Sequence, residues 1–159
     1  MFRIFTLACC CLCTVAVAQV KTDKKPAGYV PVNKFKPPVV STSLAKFSGK
    51  EVRVNAEVGK QIISLPLRIT DAKNNVYALS SYQFAYKRLG VKENEETGET
   101  SPATDYRADR FTSTPLPALW ITNIAEQLHK GEELWFFDII AKDAQGRLFF
   151  APDLKLVIE

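Results

Sequence analysis

The stretch EELWFFDIIAKDAQGRLFFAPDLKLVIE, residues 132–159, decides the fold class. Residues 134–141 are apolar in both registers except at Asp138, the pattern of a central strand covered on both faces. Asp143-Ala144-Gln145-Gly146-Arg147 is a turn with Gly146 placed for a positive φ, and residues 148–150 return as a partner strand. Ala151-Pro152-Asp153 breaks that strand, and residues 154–158 supply another. Asp138, a lone carboxylate beside aromatics, reads as an acceptor of backbone or hydroxyl hydrogen bonds at a bulge or strand edge rather than as a catalytic group.

Strand signals continue upstream. In residues 62–71, Ile63, Leu65, Leu67 and Ile69 alternate with Ser64, Pro66, Arg68 and Thr70, so the segment reads as a half-buried strand, with Pro66 marking an edge or a bulge. The turn cluster 71–75 joins it to a strand over 76–86, with Val76, Ala78, Tyr82, Phe84 and Tyr86 in one register and Tyr77, Leu79 and Ala85 in the other. A weaker alternation over 51–58 predicts one more strand. The single predicted helix opens at Thr114 as N-cap with Pro115 in its first turn. It repeats Leu116, Leu119, Trp120, Ile124 and Leu128 at helical spacing and stops at Gly131, with His129 and Lys130 in its last turn. Residues 89–110, rich in glutamate, read as a mobile acidic surface loop. These glutamates lack the alternating order around a turning glycine that a calcium loop requires.

The first forty residues have a different character. Arg3, an uncharged apolar run from Ile4 and then Ala16-Val17-Ala18 before Gln19 predict a signal peptide over 1–18, cleaved between Ala18 and Gln19. The apolar run is too short to span a bilayer, and a bulky Cys9 disfavours lipidation at Cys10. Cys9, Cys10, Cys11 and Cys13 all lie in this segment, so the expected mature chain has no disulfide, no thiolate metal site and no cysteine nucleophile. Its expected location is the periplasm or the exterior, with no transmembrane segment. Pro26, Pro31, Pro37 and Pro38, interspersed with lysines, make 19–40 a solvated linker. The formal charge of +4 is concentrated there, and residues 41–159 carry −1, which argues against a nucleic-acid partner.

Catalytic chemistry has little to work with. His129 is the only histidine, without a nucleophile or an orienting carboxylate identifiable beside it, so its expected role is at a helix end. No enzyme activity, cofactor or metal site is expected. The aromatics Tyr82, Tyr86, Trp120 and Trp135 are candidate interaction residues. An alternative to protein binding is a secreted glycan-binding or adhesion module, which would need at least two of them coplanar and exposed on one face.

The run 135–147, followed by Pro152 and the alternating tail 154–158, resembles the end of the last domain of the gliding-motility family GldM, also called PorM. Phe136, Asp138, Ile139, Asp143, Gly146, Arg147 and Pro152 carry the resemblance, with a helix and a Lys130-Gly131 step ahead of the strand. The resemblance implies an immunoglobulin-like β-sandwich over 41–159 with one short helix before the C-terminal strands. It also implies the periplasm of a Bacteroidetes-type cell, where the family's domain caps the periplasmic arm of the type IX secretion motor and contacts ring lipoproteins beneath the outer membrane. The family's membrane helix and three preceding domains have no counterpart here, so only the ring-contacting role carries over. The expected function is therefore a non-catalytic protein-protein interaction module.

Overall fold

Two-residue periodicity puts Leu67 and Ile69, then Tyr82, Phe84 and Tyr86, on one buried surface, and the other strands gather round it. The computed structural model describes residues 35–159; the expected signal peptide and the linker as far as residue 34 lie outside the described residues. The elements are β1 (Val40–Leu44), β2 (Phe47–Ser48), β3 (Glu51–Val54), α1 (Ala56–Ile62), β4 (Leu67–Asp71), β5 (Val76–Glu93), β6 (Thr100–Phe111), α2 (Ala118–Gln127), β7 (Glu133–Lys142), β8 (Leu148–Phe150) and β9 (Leu154–Ile158). The fold is thus mainly β, as expected, with two short helices. Its sheet follows the order β2-β1-β4-β5-β7-β9-β3, with β6 attached to β5 and β8 to β7. The two ends of that path, β2 and β3, are separated in sequence only by Gly49 and Lys50, so the sheet is a nearly closed barrel. It is mixed, because β3 pairs parallel with β9 while the other pairs are antiparallel.

Several expectations change. The alternation over 51–58 is cut short after Val54, where the Asn55 side chain accepts the Val58 N–H at 2.8 Å and starts α1. The predicted strand over 62–71 loses its first half to the end of α1 and the turn that follows it, leaving Leu65 exposed and Pro66 outside the ladder. The predicted helix start at Thr114 is moved to Ala118, because residues preceding Pro115 and Pro117 are biased away from helical geometry. Thr114 Oγ1 instead accepts the Leu67 N–H at 2.7 Å. The helix ends at Gln127, so His129 and Lys130 lie beyond it rather than in its last turn. Val40 belongs to β1, within the expected linker.

The largest change concerns residues 89–110. Instead of an irregular loop they form an arm: β5 runs on to Glu93, and β6 pairs with it from Thr100↔Glu93 to Phe111↔Tyr82. The third strand, β7, accompanies β5 only as far as Lys87, so beyond that point the arm is two strands wide.

β5 and β7 also contain matching bulges. The register jumps between Leu79 and Ser81 and again between Ser81 and Gln83, where Asp138 and Ile139 together face Tyr82. Asp138 takes φ 47° at this bulge, and its Oδ2 accepts from the side-chain amide Gln83 Nε2 at 2.6 Å, not from the backbone or hydroxyl donor expected of it. The bulge changes the buried register of β7 from Leu134 and Phe136 to Ile139 and Ala141. β7 is therefore central but buried on one face, not two, and Trp135 on the other face is 42% exposed.

The turns before β5 and after β7 share one geometry. In each, the aspartate, Asp71 or Asp143, uses Oδ1 to accept N–H groups two and four residues on, at 2.8 to 2.9 Å. Oδ2 takes the side chain four residues on, Asn75 Nδ2 at 2.9 Å or Arg147 Nε at 2.6 Å. The fourth residue is left-handed in both, Asn74 at φ 62° and Gly146 at φ 79°. Tyr77 and Phe149, each six residues after its aspartate, meet edge to face at 5.4 Å. The Asn75 side chain, with the turn amides and Tyr77, holds the Asp71 carboxyl below its ordinary range. Burial pushes Asp143 upward, but its Arg147 and Gln145 donors outweigh that and leave it lowered as well.

Gly59 sets how closely α1 approaches its neighbours: a Cβ there would stand 2.8 Å from Leu128 Cδ2 and 3.0 Å from Ile158 Cδ1. Both of those side chains are buried, so neither has free volume to move into. Gly59→Val is expected to lower stability by about 2 kcal/mol through overpacking. A urea transition with a lower midpoint and an unchanged slope would show it.

Candidate interaction surface

The register assembles an outward face across five strands. One row reads Tyr106, Lys87, Glu133, Val157, Arg53 and the next Ala108, Ala85, Trp135, Lys155, Glu51. Glu133 joins two of these strands' cations: its Oε1 meets Lys87 Nζ at 2.9 Å and its Oε2 meets Lys155 Nζ at 2.7 Å. Those contacts, Lys155 first, hold the Glu133 carboxyl below its ordinary range against the opposing effect of burial, and they raise Lys87. Trp135 stacks on Phe137 two residues along β7, with ring centroids 4.6 Å apart and tilted 30°. A shallow trough of about 580 Å³ runs along Trp135, bordered by Tyr106, Lys87, Glu133, Lys155 and Lys50.

The four aromatics singled out from the sequence do not share this face. Tyr82 and Tyr86 are 0% and 3% exposed, and Trp120 is half-buried, edge-on to Phe84 and Phe111. Only Trp135 points outward with substantial exposure. The coplanar exposed pair that the alternative glycan-binding reading would need is therefore not formed by these four, because alternate positions of β5 feed the core and α2 covers it. The outward companion of Trp135 is Phe137, which belongs to its own strand. The residues that carry the family resemblance take structural places: Phe136 and Ile139 in the core, Asp138 at the bulge, Asp143, Gly146 and Arg147 in the turn, and Pro152 between β8 and β9.

A buried carboxylate not anticipated from sequence stands at the base of the arm. Glu132 is 1% exposed, and its Oε2 accepts the Tyr86 hydroxyl at 2.5 Å and the His129 N–H at 3.0 Å, while Oε1 accepts the Leu89 N–H at 3.1 Å. Three donors compensate one buried charge. Burial, then the Glu132 carboxylate, pushes the Tyr86 phenol far above its ordinary value, so it stays a donor; burial alone pushes Tyr82 up to about 12. The donors at Tyr86 and Leu89 lie more than forty residues before Glu132, so no local signal could have revealed the cluster.

His129 touches Glu132 only through its backbone. Its ring Nδ1 faces the Gln127 carbonyl, so the imidazole is engaged by the main chain and not by a carboxylate. Among the described residues no group of three or more His, Cys, Asp or Glu is placed to hold a metal ion, and no helix is long and apolar enough to cross a membrane.

Replacing Glu132 with alanine strands its donors and is expected to cost about 3 kcal/mol of unfolding free energy, measured by urea titration. The pH dependence of Glu133 has a definite sign. Its folded pKa is lowered from 4.5, so its contribution is complete above pH 4.5 and fades as pH falls toward the folded value. The stability gap between the parent chain and Glu133→Gln should therefore narrow as pH falls below 4.5 and hold steady through neutral pH, where the carboxylate and both lysines are charged. Compared with models of protein families and with curated proteins, the chain finds no match.

Proposed function

We propose that this chain is a non-catalytic interaction module of the cell envelope, exported by its N-terminal segment, and that the β5–β6 arm is its docking element. One observation carries the reading. Beyond Lys87 no third strand among the described residues accompanies the arm, and residues 88–105 are all exposed or half-exposed. A two-stranded ribbon is marginal in water, because it orders backbone without burying much apolar surface. Such an element adds little to the core, and its place in the fold makes sense when a second surface covers it. The outward face with Trp135 and Tyr106 lies beside the arm on the same sheet and offers further apolar area to that surface.

The resemblance to the GldM family supplies a specific version. On that version the strand path is a distorted immunoglobulin-like β-sandwich, the compartment is the periplasm of a Bacteroidetes-type cell, and the partners are outer-membrane ring lipoproteins of type IX secretion. His129 meets Glu132 through its backbone N–H and Gln127 through its ring, and this reading assigns it a structural place.

Affinity capture from the envelope with the full chain is expected to recover ring components. A variant in which residues 90–103 are replaced by an Asn-Gly turn should keep the melting transition of the fold and lose the capture. Equal capture by both proteins would remove the arm from the interface, and recovery of no ring component would remove the type IX version.

A further inference from the structure

We propose that the arm joins two copies of this chain, β6 pairing antiparallel with β6 of a second copy about a two-fold axis at Tyr106. The inference rests on the reading of the arm as an interaction element and names its occupant. β6 pairs with β5 along one edge, and among the described residues no strand covers the other. In an antiparallel ladder alternate residues turn both polar backbone groups to the same side. The Arg110 N–H donates to Asp109 Oδ1 at 2.7 Å, so it faces away from β5. Counting back by twos, Ala108, Tyr106, Thr104 and Pro102 face the same way. Pro102 has no N–H, which suits a position directed off the sheet.

The open edge is therefore a short window. Thr104, Tyr106 and Ala108 offer free ladder positions, stopped on one side by Pro102 and on the other by the capped Arg110. Both stops stand four residues from Tyr106, so the window is symmetric about it. A two-fold axis at Tyr106 sets Thr104 against Ala108 of the second copy and Tyr106 against itself, which uses every open position. An axis at Thr104 or at Ala108 would instead put the Tyr106 groups opposite Pro102 or the capped Arg110.

Charge selects the same register. Asp105 and Arg107 form a pair within the strand, Oδ2 to Nε at 3.3 Å, and both are about half exposed. The axis at Tyr106 places Asp105 opposite Arg107 of the second copy and Arg107 opposite its Asp105, so two pairs become an alternating square. Like charges directly across a ladder would be unfavourable, and this register has none. Tyr106, 66% exposed on the other face of β6, would meet its own copy beside Lys87. On each side of the axis the two-stranded part of one copy would then lie against β6 where the other copy's β5 and β7 back it, an isologous contact that closes on itself.

Sedimentation equilibrium of the full chain tests this. A concentration-dependent dimer is expected, and Asp105→Arg or Arg107→Asp should each weaken it by at least about tenfold, because each variant sets like charges against each other twice. An equal mixture of the two variants should pair with close to parental affinity, since each mixed dimer restores both opposite-charge contacts. Ala108→Pro should abolish the dimer while leaving the melting temperature close to that of the parent chain, because the lost N–H points away from β5. A chain that stays monomeric at about 100 μM, or variants that fail to complement on mixing, would overturn the proposal. If self-association is absent but replacement of residues 90–103 still abolishes envelope capture, the self-pairing is wrong and the interaction reading stands. A dimer formed by the full chain, with envelope capture untouched by that replacement, would support the self-pairing and remove the arm from envelope docking.

Discussion

β5 and β7 each set two consecutive residues outside the buried register at successive levels of the ladder, Ser80 and Ser81 on one strand, Phe137 and Asp138 on the other. A strand shows alternate residues to one face, so an uninterrupted β7 would follow Leu134 and Phe136 with Asp138 in the core and Ile139 in solvent. Burying that carboxylate without donors would cost more than any single packing gain in the sheet. The left-handed turn of Asp138, fixed by Gln83, moves the charge out and returns Ile139 and Ala141 to the interior. The matching bulge in β5 does the same for Tyr77 and Leu79 on one side and Tyr82, Phe84 and Tyr86 on the other. Both central strands can then line the barrel on each side of the irregularity.

That arrangement also fixes where the core stops. Below the bulges, β5 and β7 travel together until Lys87 and Glu133, and there the chain divides between a packed barrel and a two-stranded extension. Glu132 occupies the branch point and ties Tyr86, Leu89 and the segment after α2 to the entry of β7. A rigid base and a lightly supported tip follow from the same few contacts. Local opening of the ribbon needs only its own ladder bonds to break, while motion at Glu132 would strand buried donors.

What could be read from the sequence was whatever buries apolar side chains at regular spacing. Leu67 with Ile69, Tyr82 with Phe84 and Tyr86, and Leu154 with Leu156 and Ile158 keep to period two, and their strands are where the pattern puts them. The turns at Asp71 and Asp143 were legible because their hydrogen bonds close within five residues. The arm was not, since its pairing satisfies backbone groups without an apolar stripe, and polarity was the only signal that residues 89–110 offered. α1 was hidden by Val52 and Val54 just before it and by Gly59 within it, a glycine kept for close approach and not for flexibility. The outward face was illegible for a different reason. Which of Trp135 and Phe136 reaches solvent depends on a register settled by the whole sheet, and a run apolar in both phases does not state it.

The parallel pairing of β3 with β9 has one more consequence. Glu51 lies beside Lys155 and Val54 beside Ile158, pairs more than a hundred positions apart, and among the described residues β3 has no other strand partner. The hairpins around Asp71 and Asp143 close over a few residues and can form as soon as they are synthesised. The barrel wall at β3 cannot, because its seam is made from segments more than a hundred positions apart. A chain emerging residue by residue therefore holds its early strands in waiting, with the core open along one side, until residues 154–158 arrive to seal it.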